Sequence, residues 1–299
     1  RRTEKGIQRA IEHYELAVKR DPEYALAWVG LADALSLSVI YGYSERSLIP
    51  RAKEACLVAL DLNPESAEAH ASLALFYGAV RNGSLAIKEA ELAIEIQPSY
   101  ADAHNWLSYG KNLSGQAYEA LRAAKRAVEV NPLSAEAVSN LSLSYLTTGN
   151  SEKALIEADH TSELSPDWTT ANLYKGVALY NLQRYSEAIS VLSNLEVEWA
   201  GCGAETTLAL CHIAVRMKTT EHLAISDFEN DIDPFGKGLV LLALDEIDAG
   251  INHILSIDSL SDWQILSIHH LFQDIWKKSK LHPSYPQIIQ LANKSFDLN

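Results

Sequence analysis

The stretch "NPESAEAHASLALFYGAVRNGSLAIKEAELAIEIQPSYADAHNWL", residues 63–107, begins to repeat itself before it ends. The dipeptide "NP" is followed by "AEAH", and 34 residues later "QP" is followed by "ADAH". The same 34-residue step runs along much of the chain, in the prolines, in a set of alanines and in a set of leucines: Pro64, Pro98, Pro132 and Pro166; Ala86, Ala120, Ala154 and Ala188; Leu73, Leu107 and Leu141. Three independent sets with one period indicate an internal repeat.

Each repeat has the pattern of two helices. Ala67, His70, Leu73 and Tyr77 recur every three or four residues, which is typical of one helical face. The segment "RNGS" at 81–84 contains Asn-Gly, which predicts a break before a second helix. That second helix carries an alanine stripe and stops at a proline, because proline cannot continue the helical hydrogen-bond ladder. Each unit is therefore predicted to be an antiparallel helix pair.

This pattern resembles the tetratricopeptide repeat (TPR) family, whose unit is similar in length and in the placement of its bulky and small residues. The residues that carry the resemblance are Trp28, Leu31 and Ala32 in the first full unit, Leu73, Ala74, Tyr77, Ala86, Ala93 and Pro98 in the second, Leu107, Ser108, Ala120, Ala127 and Pro132 in the third, Leu141, Ser142, Tyr145, Ala154 and Pro166 in the fourth, and Gly176, Ala188 and Leu195 in the fifth. The resemblance implies an all-α fold, a right-handed superhelical α-solenoid of antiparallel helix pairs. Lys175 departs from the pattern, since it stands where leucine is expected.

The repeat predicts the domain organisation. A half unit at 1–22 precedes units at about 25–64, 67–98, 101–132, 135–166 and 169–198, and residues 199–299 are expected to form a degenerate TPR-like helical region with a C-terminal cap. Helical periodicity there covers 204–217, 220–229, 237–245, 246–257, 261–278 and 285–294. Eight extra residues between Leu35 and Ala52 predict a longer first helix or an extended turn. The half unit leads us to expect a module joined to something upstream.

Some phrases resemble a narrower group of proteins. Residues 1–35, 41–74, 130–138 ("VNPLSAEAV") and 282–298 ("HPSYPQIIQLANKSFDL") are similar to the C-terminal TPR region of bacterial winged-helix transcriptional regulators and class III adenylate/guanylate cyclases. This resemblance implies a non-catalytic regulatory or sensory module that binds a protein or peptide. Its compartment stays open between cytoplasm and periplasm, with or without a membrane anchor upstream. The alternative function is a structural dimerisation or assembly scaffold with 200–280 as its interface.

Charge limits the class of partner. The chain has 39 acidic and 25 basic residues and a net charge of −14. Binding to nucleic acid needs clustered lysine and arginine, so it is not expected here. A neutral or cationic partner is favoured instead. No run of about 18 apolar residues is present, so no membrane span is predicted in this region.

The sequence has no catalytic motif, and we predict no enzymatic activity, no cofactor and no metal site. Cys202 lies between glycines, which could present a thiol, but no base is placed beside it. Whether Cys202 and Cys211 form a disulfide is left open. The adjacent pairs His269-His270 and Cys211-His212 point to different helix faces and suit no metal. His70 and His104 occupy the bulky position of their first helices and are predicted to pack.

The functional surface implied by the TPR resemblance is the concave groove lined by first helices. Carried over by repeat position, the candidate partner-binding residues are Asn105, Trp106, Tyr109 and Asn112 in the third unit, Ser139, Asn140, Leu143 and Thr147 in the fourth, and Leu173, Tyr174, Val177 and Tyr180 in the fifth. Asparagine amides can hydrogen-bond a peptide backbone, and tyrosines add contact area. The alternative interpretation is that these side chains only join neighbouring units.

One TPR binding mode is not expected. Adaptors that hold a C-terminal carboxylate place lysine or arginine in the groove. The matching positions here carry no cation, and Glu68, Asp102 and Glu136 would repel a carboxylate.

Overall fold

A computed structural model describes residues 4–41, 46–195, 207, 210–212, 214–215, 234–257 and 272–292. The chain divides into two compact units, one of Arg1–Asn140 with Ser295–Asn299 and one of Leu141–Lys294, and each is described by itself. All regular secondary structure in the described residues is helical, which confirms the predicted all-α class. No helix among them is both long and apolar enough to cross a membrane.

The first unit consists of the predicted helix pairs. Its helices are α1 (Glu4–Arg20), α2 (Ala25–Ile40), α3 (Ile49–Leu62), α4 (Ala67–Ala79), α5 (Gly83–Ile96), α6 (Ala101–Leu113), α7 (Ala117–Val130) and the beginning of α8 (Ala135–Thr147). The half unit α1 packs against α2 through Ile7, Ile11 and Val18. Helices α2, α4 and α6 are the first helices of successive repeats, and α3, α5 and α7 are their second helices.

The described part of the segment between Leu35 and Ala52 includes a longer first helix and a short 3-10 turn. Helix α2 has 16 residues, whereas α4 and α6 have 13 each. A 3-10 turn at Arg46–Leu48 then leads into α3. Pro50 lies in the first turn of α3, where its missing N–H costs no helical hydrogen bond.

In four successive repeats after the first, the turn between the two helices contains one residue with left-handed backbone. These residues are again 34 apart: Arg81 (φ 58°), Gly115 (φ 74°), Gly149 (φ 76°) and Gln183 (φ 59°). After Arg81, the backbone N–H of Asn82 donates to the carbonyl of Tyr77 at 2.8 Å, the six-to-one bond of a Schellman motif. The predicted break at 81–84 is confirmed, but Gly83 is helical and Arg81 makes the reversal.

Asn82 has a separate role at this break. Its side-chain oxygen accepts a hydrogen bond from the backbone N–H of Leu85 at 3.2 Å, so it caps α5. Ser66 caps α4 in the same way, accepting from the N–H of Ala69 at 3.1 Å. These caps satisfy N–H groups that a helix start leaves without partners.

Small residues lie where the helices cross. The alanines of the 34-residue set, Ala86, Ala120, Ala154 and Ala188, are all buried. Gly110 lies so close to α5 that a Cβ there would be 3.2 Å from the Cβ of Ala86. Larger side chains at these positions would hold the two backbones apart, so the alanine spacing determines how closely a repeat packs.

The second unit continues from α8 with α9 (Ser151–Leu164), α10 (Thr169–Asn181), α11 (Tyr185–Leu192), α12 (Pro234–Ala243), α13 (Ile247–Leu255), α14 (Gln273–Ser279) and α15 (Tyr285–Ala292). The α12–α13 turn repeats the geometry of the regular units. Asp245 has a φ of 68°, and the N–H of Glu246 donates to the carbonyl of Leu241 at 2.9 Å. A Cβ on Gly250 would lie 2.8 Å from the carbonyl oxygen of Gly238, so these helices also cross closely. Helices α12 and α13 are therefore a degenerate repeat-like pair, as expected.

Some expectations need correction. The helical periodicity over 261–278 does not correspond to one continuous helix. Phe272 has left-handed backbone (φ 53°), and α14 begins after it at Gln273. Lys175 does not replace leucine in the core, since its Nζ lies 2.6 Å from Oδ1 of Asp159 on α9. The predicted helix at 220–229 and the array boundary near residue 198 lie outside the described residues.

Replacing Gly149 tests the left-handed turn. A Cβ at this position would meet no atom within 4 Å, so steric contact is not involved. We expect Gly149→Ala to lower the free energy of unfolding by about 1 kcal/mol through backbone strain alone. Gly149→Asn should cost less, because asparagine adopts this conformation more readily. Urea denaturation followed by circular dichroism measures both, and equal stability of all three proteins would contradict the assignment.

Candidate functional site

The bulky fourth residue of the first helices holds the preceding proline turn. Nε1 of Trp28 donates to the carbonyl of Pro22 at 2.8 Å. Nε2 of His104 lies 2.9 Å from the carbonyl of Pro98, and Nε2 of His70 lies 3.3 Å from the carbonyl of Pro64. A carbonyl only accepts, so each imidazole carries a proton on Nε2. The Nε2 atoms of both histidines are therefore used in hydrogen bonds to the backbone of the preceding turn.

His70 makes a second bond within its repeat. Its Nδ1 lies 2.8 Å from Oε2 of Glu89 on α5, and both side chains are largely buried. This contact ties the first helix of the repeat to the second. Together with the proline contacts, it accounts for the histidines of "AEAH" and "ADAH".

In the first unit the first helices form a continuous row. Helix α2 packs on α4, and α4 packs on α6. The second helices α3, α5 and α7 pack on the first helices, while the contacts among themselves are at most marginal. Helices that are more closely spaced lie on the inside of a curved stack, so α2, α4 and α6 form its inner face. We call this surface of the first unit the first-helix face.

Polar and aromatic contacts join successive first helices along this row. Oγ of Ser72 on α4 donates to Oδ1 of Asp33 on α2 at 2.6 Å. Nδ2 of Asn140 on α8 donates to Oδ1 of Asn105 on α6 at 2.7 Å. Between them, the ring of Tyr109 lies over α4, where a Cβ on Gly78 would be 3.1 Å from its Cδ1. Each repeat therefore contacts the one before it through side chains of its first helix.

These contacts show how the candidate residues of the first unit are used. Asn105, Trp106, Asn112 and Ser139 are buried, whereas Tyr109 and Asn140 are partly exposed. The rings of Trp106 and Tyr109 meet edge to face with centroids 6.4 Å apart. Tyr109 and Asn140 are the two residues of this set with exposed side-chain surface.

In the second unit most candidate residues are also buried. Leu143, Thr147, Leu173, Tyr174 and Val177 have little or no exposed surface. Tyr180 is partly exposed, and its ring contacts Phe272 and Tyr185 at centroid distances of 5.4 and 5.6 Å. Aromatic packing within the unit therefore occupies Tyr180.

The sequence-based list of partner-binding residues omits an acidic group on the first-helix face, although repeat position already places Glu68 and Asp102 in the groove. This group consists of Tyr100, which precedes α6, and of Asp33, Glu68 and Asp102, one from each of three successive first helices. Partial burial raises the pKa of Tyr100, and the charges of Asp102, Asp33 and Glu68 raise it further. We call these four residues the acidic face. Tyr100 could have been noticed in the sequence, because it directly precedes a predicted first helix. It was missed because the groove positions of the TPR family all lie within that helix.

The buried cysteine thiols of the described residues are poorly suited to act as nucleophiles. Cys56 and Cys211 are free and buried. Burial raises the pKa of Cys211 to about 12 and that of Cys56 still further. A thiol with a raised pKa stays protonated at neutral pH and reacts slowly. Cys202 lies outside the described residues, and within those residues no three acidic, histidine or cysteine side chains cluster as metal ligands would.

Sequence comparison supports the TPR resemblance. Residues 5–36 and 114–167 match a family model described as "Tetratricopeptide repeat", which is less than a third of the chain. No curated protein matches the sequence significantly. The narrower resemblance to winged-helix regulators and cyclases rests on the sequence phrases alone.

The fold is shared with a solved structure. The chain is similar to a structure of the APC/C hetero-tetramer Cut9-Hcn1, with a TM-score of 0.65 and 14% identity over 96% of this chain and 53% of that one. It therefore spans about half the length of that protein. Two further matches are the thermophilic TPR protein TTC0263 of Thermus thermophilus (TM-score 0.49, 21% identity, 58% of this chain and 91% of that one) and PilF of Pseudomonas aeruginosa (TM-score 0.47, 17% identity, 90% and 97%). At 14% sequence identity, the similarity to the Cut9-Hcn1 structure concerns the fold alone.

Substituting His104 tests its structural role. His104→Phe keeps a buried ring but removes the donor to Pro98, and we expect it to lower the free energy of unfolding by about 1 kcal/mol. His104→Trp should lose less, because Trp28 makes the equivalent bond in its own repeat. Urea denaturation compares the two variants with the parent protein. Equal losses in both variants would show that the proline contact does not stabilise the fold.

Proposed function

We propose that this chain is a non-catalytic module that binds a segment of a partner protein on the first-helix face. The row of directly packed first helices carries the proposal, because it offers an extended surface made from several repeats. Tyr109 on this row has a partly exposed side chain, and so does Asn140 on α8, which is hydrogen-bonded to Asn105 of the row. The TPR match and the shared fold favour a protein-binding role of the same type.

The surface chemistry suits a peptide. Asn140 has amide donor and acceptor groups that can pair with a peptide backbone, and one of its donors is already held by Asn105. Tyr109 lies against Gly78, so its ring is positioned before a partner arrives. Contacts that are ordered in advance cost less conformational entropy on binding.

A displayed library of random 12-residue peptides, selected on the full chain, tests this proposal. Peptides that bind should lose at least about fivefold in affinity when Tyr109→Ala and Asn140→Ala are combined, equivalent to roughly 1 kcal/mol. Fluorescence anisotropy of the synthesised peptides gives the dissociation constants.

The matched control removes exposed side chains from the second helices. Leu57→Ala and Tyr118→Ala lie on α3 and α7 and are exposed, so they should leave peptide affinity unchanged. Circular dichroism verifies that all variants stay folded. The proposal fails if no peptide is selected, or if the control pair weakens binding as much as the first-helix pair.

We further propose that the module is the regulatory or sensory region of a bacterial signalling protein. The support is the similarity of residues 1–35, 41–74, 130–138 and 282–298 to the TPR region of winged-helix regulators and nucleotide cyclases. The gene sequence that encodes the residues before Arg1 tests this. A winged-helix or cyclase domain there is the expected result, and a full-length protein without any effector domain would contradict it.

A further inference from the structure

The acidic face brings three carboxylates from different repeats to one tyrosine. The hydroxyl of Tyr100 donates to Oδ2 of Asp102 at 3.5 Å. Asp33 on α2 accepts a hydrogen bond from Oγ of Ser72 on α4 at 2.6 Å, and Ser72 follows Glu68 by one helical turn, so the carboxylates of α2 and α4 lie on adjoining helices about one turn apart. The charges of Asp33 and Glu68 also raise the pKa of Tyr100. Asp33 and Glu68 are partly exposed and Asp102 is exposed, so solvent and a ligand can reach them. Because these side chains come from α2, α4 and α6, their proximity is a property of the stacked repeats.

Basic residues are almost excluded from the same helices. Helices α2, α4 and α6 and residues 135–140 of α8 carry four carboxylates and a single lysine, Lys111. Nζ of Lys111 lies 3.5 Å from Oε1 of Glu91, which is on the second helix α5. By contrast, helices α3, α5 and α7 carry six cations: Arg51, Lys53, Lys88, Arg122, Lys125 and Arg126. These second helices also carry seven carboxylates, so what distinguishes the inner row is its lack of cations: four carboxylates face one lysine there, against seven carboxylates and six cations on the second helices.

A buried amide donor lies beside the acidic face. Asn105 is 2% exposed, and its Nδ2 has no hydrogen-bond partner among the described residues. Its Oδ1 is held by Asn140, so the amide orientation is set. Asn105 follows Asp102 by one helical turn on α6, so both lie on the same helix face. An unpaired buried donor favours an acceptor such as a peptide carbonyl.

We propose that the acidic face receives a lysine or arginine side chain of the bound protein segment, and that Asn105 takes a backbone carbonyl next to that residue. The inference rests on the proposed peptide-binding function and adds the chemistry of the partner. Carboxylates from three repeats surround a single cationic group, which no isolated repeat can do. A neutral or acidic segment finds no equivalent partner on this row.

The peptides selected on the full chain test this proposal. We expect lysine or arginine to be enriched at one position of the selected sequences. Replacing that residue by norleucine in the synthesised peptide should weaken binding to the parent protein about tenfold, as expected for a charge-assisted contact. A protein variant that combines Asp33→Asn, Glu68→Gln and Asp102→Asn lacks the three carboxylates. The norleucine replacement in the peptide should have little effect on its affinity for this variant. These amides keep the size and acceptor oxygens of the acids they replace.

A control variant separates local charge from net charge. Glu54→Gln, Asp61→Asn and Glu95→Gln remove three exposed carboxylates from the second helices α3 and α5. This variant should bind the lysine peptide as the parent does at 0.15 M salt, where charges beyond about 8 Å are screened.

The outcomes distinguish the two proposals. Selected peptides without basic residues, or equal binding of the lysine peptide to the acidic-face variant and the parent protein, would overturn this inference. If the affinity of the selected peptides still fell in the Tyr109→Ala, Asn140→Ala variant, the proposed peptide-binding function would stand. Equal weakening by both charge variants would assign the effect to net charge and also overturn the inference. Selection of no peptide overturns both proposals.

Discussion

A left-handed residue in the turns of four successive repeats sets the geometry of the helix pairs. At Arg81, Gly115, Gly149 and Gln183 the chain reverses within a few residues, so the second helix returns along the first. Buried alanines then allow the two helices to approach closely. The proline turn at the other end is held by Trp28, His70 or His104 in three of the repeats. The left-handed turn and the proline turn fix the two ends of a first helix, and thereby the direction in which its side chains project.

The functional surface follows from this regularity. Because first helices pack on one another in the first unit, side chains from different repeats come together on one face. Asp33, Glu68 and Asp102 are far apart in sequence, yet all three act on Tyr100. The same packing uses Asn105 and Asn140 to join α6 and α8. One row of side chains therefore provides both the contacts between repeats and the surface offered to a partner.

The fold was largely predictable because a 34-residue spacing of prolines, alanines and leucines reports on helix ends and crossings directly. The site was less predictable. Repeat positions predict Tyr109 and Asn140 together with Asn112 and Leu143. They do not show that the last two are buried, because burial depends on the neighbouring repeat. Tyr100 lies outside the family positions, and Arg81 shows that a left-handed turn need not contain glycine.

We propose that a partner binds on the first helices of the first unit. Hydrogen–deuterium exchange of the full chain, measured with and without a selected peptide, tests it most directly. We predict slower exchange at amides of α4 and α6 and at the residues before them, including Tyr100, with little change in α3, α5 and α7. Protection confined to the second helices, or to residues 234–292, would contradict the claim.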